Sequence, residues 1–328
     1  MKYKIKTKEA GIRLDRYLSE KLVDYSRSSL QKIIKSGNVE VNGKPVPVHY
    51  FLKDGDVVVM VKHKPAAAPK VRLAKDTLKP QAVPFNWGKR IIEDNDEYLV
   101  IDKPAGIAVH GQSELPTGPL LEADNKQKEV SLSDLVIKKY PKIAKVGDDP
   151  IRPGIVHRLD KEVSGLMVIA KTNGAFDNLK QQFMDRAVKK TYLALVYGKI
   201  EKDEGTIDFP IERSREGKMA ARPANQPGKP AITDFSVKKR FINYTLIEAR
   251  PKTGRTHQIR AHLAAYGTPI VGDNLYGTKD TRAKNKKFDL GRIFLAAGRL
   301  EFKNSAGETQ IFELPLPNNL KDLLNSIK

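Results

Sequence analysis

Apolar residues recur at helical spacing near the start of the chain. In GIRLDRYLSEKL, Leu14, Tyr17, Leu18 and Leu22 fall on one face, which predicts a helix. YSRSSLQKIIKSG predicts a second, with serines ahead of it as caps, Leu30, Ile33 and Ile34 on one side, and Gly37 past its end. VEVNGKPV alternates around the hairpin pair Asn42-Gly43, and DGDVVVMV supplies another strand. Residues 1–62 therefore predict a small α/β unit of two helices and a curled sheet. Over residues 63–88 the periodicity lapses into proline, alanine and lysine, the composition of a linker. From residue 89 to 328 strands and helices mix. EYLVIDKPAG, LMVIAK, KTYLALVYG and NYTLIEARP read as strands. NGAFDNLKQQFMDR reads as a helix with Phe176, Leu179 and Phe183 inward, and a further helix begins near Thr256. Without a regular βαβ alternation, the expectation is an α+β chain with a mixed sheet. Three polar stretches, 112–129, 213–230 and 278–291, predict surface loops.

Composition adds a partner. Hydrophobic residues are 40% of the 328, enough for a core, while 59 Lys and Arg against 39 Asp and Glu leave a formal charge of +20. Such an excess points to a polyanion, nucleic acid first. Arg13, Arg16, Arg27, Lys32 and Lys35 lie on or beside the first two predicted helices. Cations held there can track an RNA backbone, although an ordinary solvated face has the same pattern. There is no cysteine, which removes disulfides, thiol nucleophiles and thiolate zinc sites and fits a reducing cytoplasm. The opening MKYKIKTKEA lacks the apolar segment of a signal peptide, and no apolar run approaches the ~20 residues of a membrane helix. The expectation is a soluble cytoplasmic protein, monomeric and without a membrane partner. No GxGxxG or Walker pattern occurs. His257 and His262 are spaced for different helix faces, so neither a nucleotide, a cofactor nor a metal is expected.

One turn is chemically conspicuous. RPGIVHRLDKEVSGLMVIA sets Asp160 directly after His157, Arg158 and Leu159 and just ahead of a buried strand. Loops held by a rigid sheet commonly carry catalysis, although a lone aspartate in a turn is more often a local cap. KKTY puts Tyr192 at a strand start, and TGRTHQIRAH puts Arg260 one turn into a helix with His257 three residues earlier. A carboxylate, a ring and a guanidinium meeting in one place would make a site in which the cation holds the carboxylate ionised.

In order, these segments resemble a pseudouridine synthase of the RluA family fused to an S-four-type RNA-binding module. RLDRYLSEKLVDYSRSSLQKIIKSGNVEVNGK resembles the module. YLVIDKPAGIAVH, RPGIVHRLDKEVSGLMVIAKT, KKTYLALVYG and TGRTHQIRAHLAAYGTPIVGDNLYG resemble the catalytic motifs. The resemblance implies an RNA-binding domain at 1–62, a linker at 63–88, and a catalytic domain at 89–328 with a mainly antiparallel mixed sheet and a central cleft. It implies conversion of uridine to pseudouridine, in ribosomal large-subunit RNA or a ribosome precursor, without cofactor. The catalytic aspartate falls on Asp160, the active-site tyrosine on Tyr192, and the arginine paired with the aspartate on Arg260. Arg158 is similar to the arginine that occupies the space left by a flipped nucleotide, and His157, Arg255 and His257 stand beside these residues as RNA-binding candidates. Two positions depart from the family's pattern. Val163 stands where a hydroxyl residue is usual, and FLAAGRL lacks a histidine. A tRNA-directed synthase and a non-catalytic ribosome-assembly factor are the alternatives; the intact Asp160, Tyr192 and Arg260 weigh against the latter.

Overall fold

A computed structural model of the chain describes residues 2–22, 30–31, 33–34, 36–48, 50–60, 85–111, 130–214, 218–223, 226–288 and 290–327. These residues fall into two compact units, 2–60 and 85–327.

The first unit comprises β1 (Lys2–Lys4), α1 (Leu14–Lys21), β2 (Val39–Val41), β3 (Lys44–Pro45) and β4 (Val57–Met60). The strands form an antiparallel sheet in the order β1-β4-β2-β3. Asn42 and Gly43 both take positive φ, 53° and 75°, so the two-residue turn predicted from their identities is the one that closes β2 onto β3. Leu14, Tyr17, Leu18 and Leu22 are all buried, as the helical spacing requires. Of the second predicted helix only Leu30, Gln31, Ile33, Ile34, Ser36 and Gly37 are among the described residues; Leu30 and Ile34 are buried in the same core.

The second unit is built on a mixed sheet, nine-stranded among the described residues, with the order β5-β6-β7-β14-β8-β13-β12-β9 and β15 paired to β14. Its strands are β5 (Ile91–Asp94), β6 (Tyr98–Lys103), β7 (Ser164–Ala170), β8 (Lys189–Tyr197), β9 (Glu204–Asp208), β12 (Ile232–Arg240), β13 (Tyr244–Pro251), β14 (Leu295–Lys303) and β15 (Thr309–Glu313). Only β7 and β14 run parallel. Every residue of β7 is buried, which accounts for the unbroken apolar run after Gly165. A Cβ on Gly165 would lie 2.2 Å from the Ala297 carbonyl oxygen, so glycine lets β7 and β14 approach. A separate hairpin joins β10 (Ile211–Arg213) to β11 (Met219–Ala221). The helices are α2 (Leu132–Lys139), α3 (Asn173–Met184), α4 (Gln258–Ala265), α5 (Lys279–Phe288) and α6 (Asn318–Ser326).

Two of the three predicted loops need correction. Residues 213–230 contain part of the β10–β11 hairpin, and 278–291 contain the helix α5. The sequence of α5, KDTRAKNKKF, has no apolar stripe; a buried amide anchors it instead. Asn285 Oδ1 accepts from the Tyr197 hydroxyl at 2.6 Å and from Gly272 N–H at 2.7 Å, and its Nδ2 donates to Asn274 at 2.9 Å. Most of the third predicted loop, 112–129, and most of the predicted linker lie outside the described residues.

Candidate active site

The turn holding Asp160 is a consequence of β7. Residues 155–159 run back along that strand. Ile155 bridges to Ile169, and Val168 N–H donates to His157 Nε2 at 3.0 Å. The chain reverses over Asp160–Val163, where Val163 N–H donates to the Asp160 carbonyl at 3.1 Å, and then enters β7. Asp160 therefore sits on a tight turn at the edge of the most deeply buried strand. Lys103, at the end of β6, fastens the same turn from beneath. Its ammonium, fully buried, donates to the carbonyls of Pro104 at 3.0 Å, Ile107 at 2.8 Å and, at a longer 3.4 Å, Lys161. Burial pulls the Lys103 pKa down to about 7, against the opposing attraction of Asp160.

Arg260 arrives from α4. Ahead of that helix, Gln258 ties the 253–258 loop to β12. Its Oε1 accepts from the Thr253 hydroxyl at 2.7 Å and from Arg255 N–H at 3.0 Å, and its Nε2 donates to Ile232 O at 2.9 Å. The helix starts at Gln258, two residues later than the sequence suggested. His257 precedes it in the left-handed region, φ 55°. Arg260 Nε and Nη2 fork onto Asp273 at 2.7 and 3.1 Å, while Nη1 reaches Asp160 at 3.4 Å and Glu162 at 3.2 Å. Asp273 is fully buried, and its Oδ1 also accepts from the N–H groups of Leu275 and Tyr276. The guanidinium lies over the Tyr276 ring, 5.3 Å from its centre. Burial opposes the charge on Arg260, but Asp273, Asp160 and Glu162 outweigh it and raise the pKa. The sequence pairs Arg260 with Asp160; the tighter partner is Asp273, which residue spacing did not flag.

Tyr192, on β8, is buried between Ala249 on β13 and Ala297 on β14. The β8–β14 register shifts between Ala297 and Arg299, so the glycine of FLAAGRL lies in a bulge beside Tyr192. Burial and the nearby negative charge of Asp160 push the Tyr192 hydroxyl above its usual pKa. Asp160, Tyr192 and Arg260 thus come from three separate segments and line one cleft of about 470 Å3. Val163 lines it too, and is buried, so the missing hydroxyl is replaced by packing.

The remaining candidates divide. Arg158 is exposed at the cleft, and its Nη1 donates to His110 Nε2 at 3.1 Å; His110 had not been singled out. Arg255 also lines the cleft, with its Nε donating to the Pro230 carbonyl at 3.2 Å. His257 Nε2 is 3.9 Å from Asp160, and its Nδ1 is 3.0 Å from the Tyr276 hydroxyl. His157 plays a scaffold part. Its ring stacks on Phe183 with centres 4.7 Å apart, its Nε2 is taken by Val168, and burial pulls its pKa down to about 3. In the first unit, Arg13 forks onto buried Asp15 at 3.0 Å, and exposed Arg16 pairs with Glu20 at 3.3 Å. Arg27, Lys32 and Lys35 lie outside the described residues. No group of three potential metal ligands occurs among the described residues, and none of their helices is long and apolar enough to cross a membrane.

Known proteins align with both units. Residues 97–265 match the RNA pseudouridylate synthase family and residues 12–58 the S4 domain. An uncharacterized RNA pseudouridine synthase of Aquifex aeolicus is 35% identical, covering 98% of this chain and 95% of its own. The ribosomal large subunit pseudouridine synthase C of Haemophilus influenzae is 33% identical over 98% of this chain and 92% of its own. Among solved structures, human RNA pseudouridylate synthase domain containing 1 is similar at a TM-score of 0.53 and 26% identity, covering 70% of this chain and 83% of that one.

Proposed function

The chain belongs to the RNA pseudouridylate synthase family, and from that premise we propose that it isomerises uridines in large-subunit ribosomal RNA with Asp160 as the catalytic carboxylate. The observation carrying the residue assignment is the convergence of Asp160, Tyr192 and Arg260 in one cleft. The choice of RNA rests on the relatives whose names specify the ribosomal large subunit. That substrate agrees with a cytoplasmic, cysteine-free chain.

The reaction breaks the bond from uracil N1 to ribose C1′ and forms one from C5 to C1′. The C5 hydrogen leaves as a proton and N1 gains one, so neither electrons nor a group are acquired from outside. A uridine in folded RNA must first leave its stack, at about a few kcal/mol. In this reading Arg158, exposed at the cleft, occupies the space it leaves. Loss of the base builds positive character at C1′. Asp160 answers it as a nucleophile at that carbon or as a base toward the sugar, and both roles need the carboxylate aimed there. Arg260 aims it, being held in turn by Asp273. Tyr192 offers a ring against the uracil, and its raised pKa keeps the hydroxyl protonated.

The test is tritium release from large-subunit ribosomal RNA transcribed with uracil labelled at C5. The wild type releases label to water; Asp160→Asn reduces release to background while its RNA affinity stays within about twofold, since one neutralised cleft carboxylate removes no phosphate contact. Wild-type rates from Asp160→Asn remove the aspartate from the mechanism. Release from transfer RNA alone moves the substrate.

A further inference from the structure

Lys190 is the cleft residue whose chemistry the reaction above leaves unused. It stands two positions before Tyr192 on β8, so both side chains leave the same face of the strand and both line the Asp160 cleft. It is half-buried. Its ammonium lies 5.5 Å from the centre of the Phe183 ring, and among the described residues it has neither a carboxylate nor a hydrogen-bond partner. Several other lysines of this unit are paired. The next residue along the strand, Lys189, meets Glu301 at 2.6 Å; Lys252 meets Asp234 at 2.9 Å; Lys171 meets Asp94 at 2.8 Å. A second cation without a side-chain partner among the described residues lines the same cleft. Arg186 is exposed just past α3, with its backbone in the left-handed region, φ 60°. By contrast Arg152, which also lines the cleft, is tied to Asp149 at 2.9 Å.

A partly desolvated ammonium without a counter-ion is costly in the free protein. It is accounted for when the ligand brings the anion. RNA offers two anions at this place, the backbone phosphates and the uracil as its bond to C1′ breaks. The electrostatics separate them. Asp160 acts on Lys103, Tyr192 and His257, but Lys190 feels only its own burial, which lowers its pKa. Geometry agrees, for Arg260 and His257 lie 3.4 and 3.9 Å from the Asp160 carboxylate while Lys190 makes no ion pair with it. Its offset from Tyr192 along the strand is about 6.6 Å, two residues of β rise, which is the scale of the step from a nucleobase to its own backbone phosphate.

We propose that Lys190, with Arg186 beside it, binds the backbone phosphate flanking the everted uridine and thereby sets how deeply the nucleoside enters toward Asp160. This rests on the reading of the cleft as a uridine site in RNA. A phosphate contact made equally before and during bond breaking contributes to binding and leaves the chemical step unchanged.

The experiment measures tritium release from the C5-labelled large-subunit RNA transcript over a range of RNA and KCl concentrations, and filter binding of the same RNA in parallel. Lys190→Gln is expected to raise KM roughly tenfold, the scale of one charge-assisted hydrogen bond, with kcat within about twofold. The slope of log binding constant against log salt is expected to flatten by about 0.7, one phosphate on a single strand. Lys190→Arg should restore both. Arg186→Asn, at an exposed site whose left-handed backbone asparagine tolerates, should flatten the slope in the same way and guards against a folding defect in the Lys190 variant. A fall in kcat with KM and salt slope unchanged overturns the proposal and moves Lys190 to the reacting base. An unchanged slope in both variants overturns it as well. Were the wild type to release no tritium, the functional reading would fail by itself, while the binding slopes would still decide whether these two cations meet phosphate.

Discussion

Two arginine–aspartate pairs, one in each unit, share a geometry and differ in what they leave free. In the first unit Arg13 Nε and Nη2 fork onto Asp15 at 3.0 Å each; in the second Arg260 Nε and Nη2 fork onto Asp273 at 2.7 and 3.1 Å. Both aspartates are fully buried and both have further donors, Gln31 at 2.6 Å on Asp15 and two backbone N–H groups on Asp273. The arginines differ in exposure, 32% for Arg13 and 3% for Arg260. The buried one turns its remaining Nη1 on Asp160 and Glu162. The Nη1 of Arg13 makes no hydrogen bond among the described residues, and the side chain is partly exposed. A bidentate carboxylate thus orients a guanidinium in both places, and in the second the third nitrogen is turned on Asp160 and Glu162. Positive charge alone would not have distinguished these two arginines.

The comparison breaks most visibly at Asp273. Asp273→Asn leaves a buried guanidinium short of its main counter-charge, a loss on the scale of about 3–5 kcal/mol. The expected result is a kcat lower by at least about a hundredfold, because Arg260 no longer holds Asp160 in place, at nearly unchanged RNA affinity. Tritium release and equilibrium denaturation measure the two effects. Full activity would mean that Arg260 needs no brace, and that the likeness to Arg13 is coincidental. Asp15→Asn is the matching change. It should destabilise the first unit by about 1–3 kcal/mol, the cost of a weakened buried hydrogen-bonding group, without altering kcat. A change in kcat would give the first unit a part in the chemistry.

How much of this was legible beforehand depends on the kind of signal. The 166–170 run announced a buried strand, Asn42-Gly43 announced its hairpin, and Asp160 was visible because it follows His157, Arg158 and Leu159 just ahead of that strand. The offset that puts Lys190 beside Tyr192 is encoded in KKTY, since strand alternation puts i and i+2 on one face, but Lys190 was not singled out. Asp273 was not, because VGDNLYG reads as an ordinary turn. It is indeed one, with Asp273 accepting from the N–H groups two and three residues on, and only the fold brings Arg260 to its other side. The available clue was an acid following the apolar PIVG. Lys103 was hidden for a related reason. Three backbone carbonyls make its burial possible, and no side-chain pattern encodes carbonyls. Helix α5 was hidden because its anchor is an amide, where helix reading looks for an apolar stripe.

Acid should act on the second unit through its buried histidines. The pKa of His157 is about 3 in the folded protein against an ordinary 6.5, because burial excludes the charged ring. Between these values the unfolded chain takes up a proton that the native state refuses, so stability falls as pH drops from 6.5 toward 3 and changes no further through this group below that. His262 works in the same direction, buried with Nε2 2.9 Å from the Phe209 carbonyl and its pKa lowered. His157→Gln, which can still accept from Val168 N–H, should flatten the acid limb of the second unit's denaturation curve, followed through its own amide exchange. An unchanged limb would assign the acid sensitivity to other groups.

The smallest effect expected is the most informative about Arg13. If its third nitrogen meets an RNA phosphate, Arg13→Gln should reduce the salt slope of RNA binding by about 0.7 to 0.9, one phosphate contact on single-stranded or duplex RNA. Arg13→Lys should keep the slope, because the charge remains, yet bind more weakly at every salt concentration, because lysine cannot fork onto Asp15 and so is not held in one direction. Arg16 is the internal control. Its side chain is 69% exposed and, among the described residues, paired only with a neighbouring glutamate one helical turn on, a contact worth about 0.3–0.5 kcal/mol. A cation tethered that loosely can swing to a phosphate as readily as away from it, so Arg16→Gln should also flatten the slope, while Arg16→Lys should cost no affinity. Equal tolerance of lysine at positions 13 and 16 would mean that the Asp15 fork only holds the unit together, and orientation by a buried carboxylate would then belong to the Arg260–Asp273 pair alone.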